Sequence, residues 1–167
     1  GFNTQIFLLV VLMISDGCKL PTDGLPLFGR CCPEGWTLFG TRCFKFFDSK
    51  LTWTEAEKSC QTHGANLASI HSAEENAFVV DLIKNATGEN RWTWIGGQDA
   101  ETLWMWSDGS VWDYSKWPSV QPDNDGGIEH VLEINWAGKG SQKSVQNKNR
   151  TKSYTHDNVF CPRVDHL

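Results

Sequence analysis

Residues 121–129 read Gln-Pro-Asp-Asn-Asp-Gly-Gly-Ile-Glu, a stretch dense in hard oxygen donors. Gln121 offers an amide oxygen, Asp123, Asp125 and Glu129 offer carboxylates, and Asn124 adds a second amide. Calcium takes about six to eight oxygen ligands and prefers carboxylates and side-chain carbonyls. Pro122 fixes its own backbone and restricts Gln121 before it. Gly126 and Gly127 let the chain fold back, so that Glu129 can approach Gln121 and Asp123. On composition alone the same residues fit a solvated acidic turn.

Other chemistry is excluded more simply. The chain has no HExxH, GxSxG or P-loop pattern, and its 5 histidines are scattered, with His63 and His71 near helix ends. No enzymatic activity is expected. Lys and Arg number 15 against 20 Asp and Glu among 167 residues, a net charge of −5, which argues against a nucleic-acid binder. The 6 cysteines, Cys18, Cys31, Cys32, Cys43, Cys60 and Cys161, lack paired zinc spacings. With the sequons at Asn85 and Asn149 they point to an oxidising, extracellular compartment.

The elements that must position these residues follow from punctuation. Residues 1–17 contain the apolar run Ile6–Ile14 and read as a signal peptide with an incomplete N-terminus. Residues 18–30 read as a linker rich in Pro and Gly, and a domain follows over 31–136. Trp36 to Phe47 alternates about Gly40 and predicts a hairpin, which points to a Cys32–Cys43 bridge. Capping boxes at Thr52–Glu55 and Ser72–Glu75 open two helices, ended by Gly64 and Gly88. Trp53, Ala56 and Cys60 mark one face of the first helix, and Ala73, Ala77, Val80 and Ile83 one face of the second. Residues 65–70, 92–97, 102–106 and 131–136 read as strands, and 112–129 as a long loop. The fold class is α+β, with two helices and irregular antiparallel sheets.

The ordered set Cys32-Pro-Glu-Gly-Trp36, Cys43, Trp53/Ala56/Cys60, Leu67–Ile70, Trp94-Ile-Gly-Gly97, Trp106-Ser-Asp-Gly109 and Gln121-Pro-Asp123 resembles a C-type lectin-like domain. It is similar in flavour to the secreted fish lectins of the galactose-binding and ladderlectin type and to type II antifreeze proteins. The resemblance implies a calcium site in which Gln121, Asp123 and Glu129 hold the ion and contact the sugar, with a cis bond before Pro122. Gln-Pro-Asp is the version linked to galactose-type sugars. Asp99, Glu101 and Asp125 could support an auxiliary ion and are expected mostly as surface charges. Trp104, Trp112 and Trp117 are expected as core and loop anchors rather than sugar platforms.

Three departures follow. Val131 stands where the family has a cysteine, and no Trp-Asn-Asp segment, the source of two further calcium ligands, follows within about a dozen residues. Ala137–Lys152 is basic, polar and aperiodic, and reads as a disordered insertion within an atypical segment, 137–167; intron read-through near codon 137 would produce such a tail. Cys161 aligns in two ways: in a closing strand paired with Cys60, or as the end of His156-Asp-Asn-Val-Phe-Cys161, an imitation of the missing segment. Asp157 and Asn158 are then the only substitutes for the missing ligands, so the calcium site is expected to be weak. Cys18 and Cys31 pair with each other or link two chains into an oligomer. Three functions compete: a secreted calcium-dependent, galactose-type lectin with an innate-immune role; an ice-binding protein; and a calcium-independent protein-binding module. No membrane span is expected.

Overall fold

The computed structural model describes residues 32–100, 103–136, 140–145 and 158–163. The expected signal peptide and linker, Cys18, Cys31, Glu101, Asn149 and Asp157 lie outside these residues. Gly40, at φ +58°, turns strand β1 (Thr37–Phe39) into β2 (Arg42–Asp48). Thr37 opposes Phe44 and Phe39 opposes Arg42. Cys32 precedes the hairpin, on a turn closed by Trp36 N–H donating to Pro33 O, and bridges to Cys43.

Helix α1 (Trp53–Thr62) carries its capping box: the Thr52 hydroxyl accepts from Glu55 N, and the Glu55 carboxylate accepts from Thr52 N at 2.9 Å. Accepting the backbone N–H and hydroxyl of Thr52 holds the Glu55 carboxyl below its ordinary range. The buried face is Trp53, Ala56, Glu57 and Cys60. Two indoles lock it to the sheet, Trp53 Nε1 donating to Ile95 O and Trp94 Nε1 to Leu51 O, each at 2.8 Å.

Helix α2 (Ala73–Thr87) starts at Ser72 and stops at Gly88, whose φ of +80° lets its N–H reach Lys84 O. Two expectations change here. Only half of the second capping box forms, because the Glu75 carboxylate accepts from His71 N and pairs with Arg42 instead of returning to Ser72. The buried stripe is Glu75, Asn76, Val79 and Ile83, whereas Ala73 and Ala77 are exposed. Polar partners for Glu75 and Asn76 on the inner side rotate the helix away from the face that hydrophobicity alone selects.

Strands β3 (Thr93–Ala100), β4 (Leu103–Trp106), β5 (Val131–Trp136), β6 (Ser141–Val145) and β7 (Asn158–Arg163) complete one sheet, ordered β1-β2-β7-β3-β5-β6, with β4 on the far half of β3. β7 runs antiparallel to β2 and parallel to β3, with Trp94 beside Val159. Residues 65–70 form no strand. They pass through the interior as a single buried segment, with Ala68 N donating to Phe160 O and Gly96 N to Ala68 O. Its fit explains Gly96, where a Cβ would lie 2.5 Å from Leu67 O; Gly97 is crowded instead by β5, where a Cβ would lie 2.1 Å from Leu132 Cδ1.

Two apolar clusters fill the interior. One centres on Phe44, Ile70, Ile83, Ile95, Trp106 and Phe160, the other on Trp53, Leu67, Trp94, Val159 and the Cys60–Cys161 bridge. Cys161 therefore belongs to a closing strand, which decides between its two alignments. The disordered insertion expected over Ala137–Lys152 is corrected at Ser141–Val145, which pairs with β5 from Val131↔Val145 to Trp136↔Ser141. Polar residues suffice there because the ladder and a buried Gln142 hold the strand, without an apolar face of its own.

The bridges close loops of different length, 101 residues for Cys60–Cys161 and 11 for Cys32–Cys43. On the chain-entropy account, removing the first pair as a double alanine variant should cost about 4–5 kcal/mol and the second about 3. Urea unfolding midpoints should fall in that order, and a larger loss at Cys32/Cys43 would refute it.

Candidate functional site

The long loop leaves β4 over a bed of tryptophans. Trp106 is buried and stacks on Trp112 with ring centroids 4.4 Å apart, and Trp117 lies 5.4 Å from Trp104. These rings are anchors, as expected. A second anchor was not legible: Gln142 N donates to Lys116 O at 3.0 Å, and Gln142 Oε1 accepts from Lys116 N at 3.2 Å. A fully buried side chain on β6 thus clamps the middle of the loop.

Beyond the clamp the chain turns sharply. The Gln121–Pro122 bond is cis, as the resemblance implies. Asn124 (φ +47°), Gly126 (+67°) and Gly127 (+70°) occupy the left-handed region, and Gly127 N donates to Asn124 O. Asn124 Oδ1 then accepts from Glu129 N at 3.2 Å, which folds Glu129 back toward the start of the turn. Glycine suits two of these positions for want of a Cβ, and asparagine tolerates the third.

The fold-back brings Gln121, Asp123 and Glu129 together, with the Asp123 carboxylate hydrogen-bonded to the side chains of both others. Partial desolvation raises the Asp123 carboxyl. The hydrogen bonds with Gln121 and Glu129, its own N–H and the attraction of Lys143 outweigh that, and the net shift is downward. Two carboxyl groups in contact must share a proton or a cation. The arrangement sets two carboxyl groups and an amide side by side, with Asp123 exposed and Gln121 and Glu129 half-buried, a donor set of the type that hard cations take.

The remaining expected residues are spread more widely. Asp125 is exposed on a one-turn helix, Asp125–Gly127. Asp99 is directed to His130, 3.4 Å away. Asn158 opens β7 opposite Asp48, between β2 and β3 in the sheet. Among the described residues no group of three His, Cys, Asp or Glu side chains converges. β6 arrives about a dozen residues after Glu129, where the resemblance calls for Trp-Asn-Asp, but it carries Ser141-Gln142-Lys143. The amide oxygen of Gln142 is already committed to Lys116.

A second polar network was also missed. Arg42 donates to Ser69 Oγ and Ser69 O and pairs with Glu75, and Ser69 Oγ donates to Asp108 Oδ2. His71 lies between Asp113 Oδ1, at 2.7 Å, and Ser110 Oγ, at 3.1 Å. Ser110 donates its hydroxyl to Asp108 Oδ1 at 2.5 Å, and Asp108 Oδ1 also accepts Ser110 N. The serine proton is held by a carboxylate that caps its own turn, so this chain pins the turn after β4 to the start of α2. The Asp-Gly-Ser run at 108–110 carried the signal for such a turn.

The chain matches the Lectin C-type domain over residues 49–161. The chain belongs to the C-type lectin domain family. It is 49% identical to the galactose-specific lectin nattectin of Thalassophryne nattereri over 109 residues, 64% of this chain and 69% of that protein. It is 47% identical to a ladderlectin of Oncorhynchus mykiss over 107 residues, 63% of this chain and 56% of that protein, so it spans little more than half of the latter's length. Among solved structures it resembles a calcium-independent type II antifreeze protein, with TM-score 0.68 and 31% identity, covering 80% of this chain and 95% of that one. Lectins and antifreeze proteins therefore share this fold, and no helix among the described residues is long and apolar enough to cross a membrane.

If Gln142 holds the loop, Gln142→Ala should destabilise the domain by about 1–3 kcal/mol, the usual cost of stripping a buried hydrogen-bonding partner. Amide hydrogen exchange should accelerate around residues 112–117. Unchanged exchange there would show that the tryptophans suffice.

Proposed function

We propose that this C-type lectin domain is a secreted, calcium-dependent binder of galactose-type sugars. The observation that carries the reading is the convergence of Gln121, Asp123 and Glu129 on one exposed point. A calcium ion there would relieve the contact between two carboxyl groups, and adjacent hydroxyls of a pyranose would complete its shell. The donor set fits the ion in type and falls short in number. Gln121 and Asp123 set the direction in which hydroxyls can be accepted or donated, and Glu129 supplies the second carboxylate. Likeness to nattectin, whose name states galactose specificity, supports the sugar class. Likeness to fish lectins and the two disulfides support an extracellular location.

A calcium-independent reading, toward ice or a protein, has one specific observation in its favour. β6 presents Ser141-Gln142-Lys143 where further calcium ligands belong, with the positive charge of Lys143 already acting on Asp123. Calcium affinity should accordingly lie in the weak extracellular range, on the order of 10⁻⁴–10⁻³ M. Calorimetry should register this binding in the wild type and lose it in Glu129→Ala; micromolar binding that survives the substitution would put the ion elsewhere. Failure to be retained on a galactose resin in the presence of calcium, or thermal hysteresis without sugar binding, would select the second reading.

Sugar preference provides a separate check. The double substitution Gln121→Glu, Asp123→Asn exchanges the amide and the carboxylate across the turn. Competition on a sugar array should shift from galactose toward mannose, and an unchanged ranking would assign specificity to other residues.

A further inference from the structure

We propose that Asn85 carries an N-linked glycan whose first sugar seats in the groove between α2 and the β1–β2 hairpin. Asn85-Ala86-Thr87 is an acceptor sequon, and Asn85 is exposed on the last turn of α2. Directly beside it lies a groove of about 320 Å³, walled by Thr37, Lys45, Phe46 and Leu82. Phe46 and Leu82 are half-buried and give the groove an apolar wall, and Lys45 gives it a polar rim. A pyranose has this same division, with C–H bonds on its faces and hydroxyls at its edge.

The position also answers a structural need. β1 is the end strand of the sheet, three residues long, with Leu38 45% exposed. Exposed edges invite pairing with other chains unless something covers them. A glycan rooted at Asn85 stands over the groove that Thr37 lines and screens this edge. In the folded chain the Thr87 hydroxyl is bound to Ile83 O and Glu89 O, each at 2.8 Å. Attachment therefore precedes closure of the last turn of α2, which places it during synthesis rather than on the finished domain.

The proposal rests on the secreted reading only for its compartment, so the test supplies that compartment independently. The full chain is expressed behind a heterologous secretory leader in eukaryotic cells, in an Asn149→Gln background that silences the other sequon. Intact mass should show one glycan, lost in Asn85→Gln and retained in Thr87→Ser. Equal masses for the background and Asn85→Gln would overturn the site. Seating of the first sugar is read separately. Trimming with an endoglycosidase that leaves one N-acetylglucosamine should preserve the melting temperature, and complete removal should lower it by about 2–4 °C. Equal melting temperatures after both treatments would overturn the seating in the groove.

Discussion

The sheet depends on one insertion: β7 lies between β2 and β3, held by the Cys60–Cys161 bridge to α1. Without that strand, β2 and β3 face each other across an open gap, and Phe160 is missing from one apolar cluster and Val159 from the other. The buried segment 65–70 also loses a partner, since Ala68 N donates to Phe160 O. Both clusters, the passage of residues 65–70 and the position of α1 are settled by six residues distant in sequence from everything they touch.

The binding loop is placed by a different kind of force. Its apolar rings bring it down onto β4, and Gln142 fixes its height through the backbone of Lys116. Past that point positive φ angles replace packing as the determinant, and the chain turns because Asn124, Gly126 and Gly127 can. The result is an electrostatic compromise at the surface. Two carboxyl groups meet through a hydrogen bond, and an amide and the charge of Lys143 add to it against the cost of desolvation. The nearby network of Arg42, Ser69, Asp108, His71 and Ser110 keeps the turn after β4 fixed, so the loop departs from a rigid point.

What could be read in advance follows from which interactions are local. Thr52, Ser72, Gly64 and Gly88 announce helix ends because caps act within four residues, and the trio at 121–129 is legible because its spacing is short. β6 was not legible. Ser-Gln-Lys-Ser-Val has no period-2 alternation of apolar side chains, and its strand character comes from the ladder that β5 offers. The same limit explains α2, whose buried face includes Glu75 and Asn76. Their partners, Arg42 and Gly140, stand 33 and 64 residues away. Residues 65–70 form no strand because Ala68 bonds once to Phe160 on β7 and once to Gly96 on β3, so that no ladder with either strand develops.

The Gln142–Lys116 clamp also bears on how such a domain can change. Because the loop is tied down before residue 121, the fold does not rely on whatever residues 121–129 bind. None of these residues belongs to either apolar cluster, so the turn can change its side chains at little risk of misfolding. A scaffold partitioned in this way is open to divergence. A lectin and an antifreeze protein are both among the proteins that share this fold, and a core insulated from its surface turn suits such divergence.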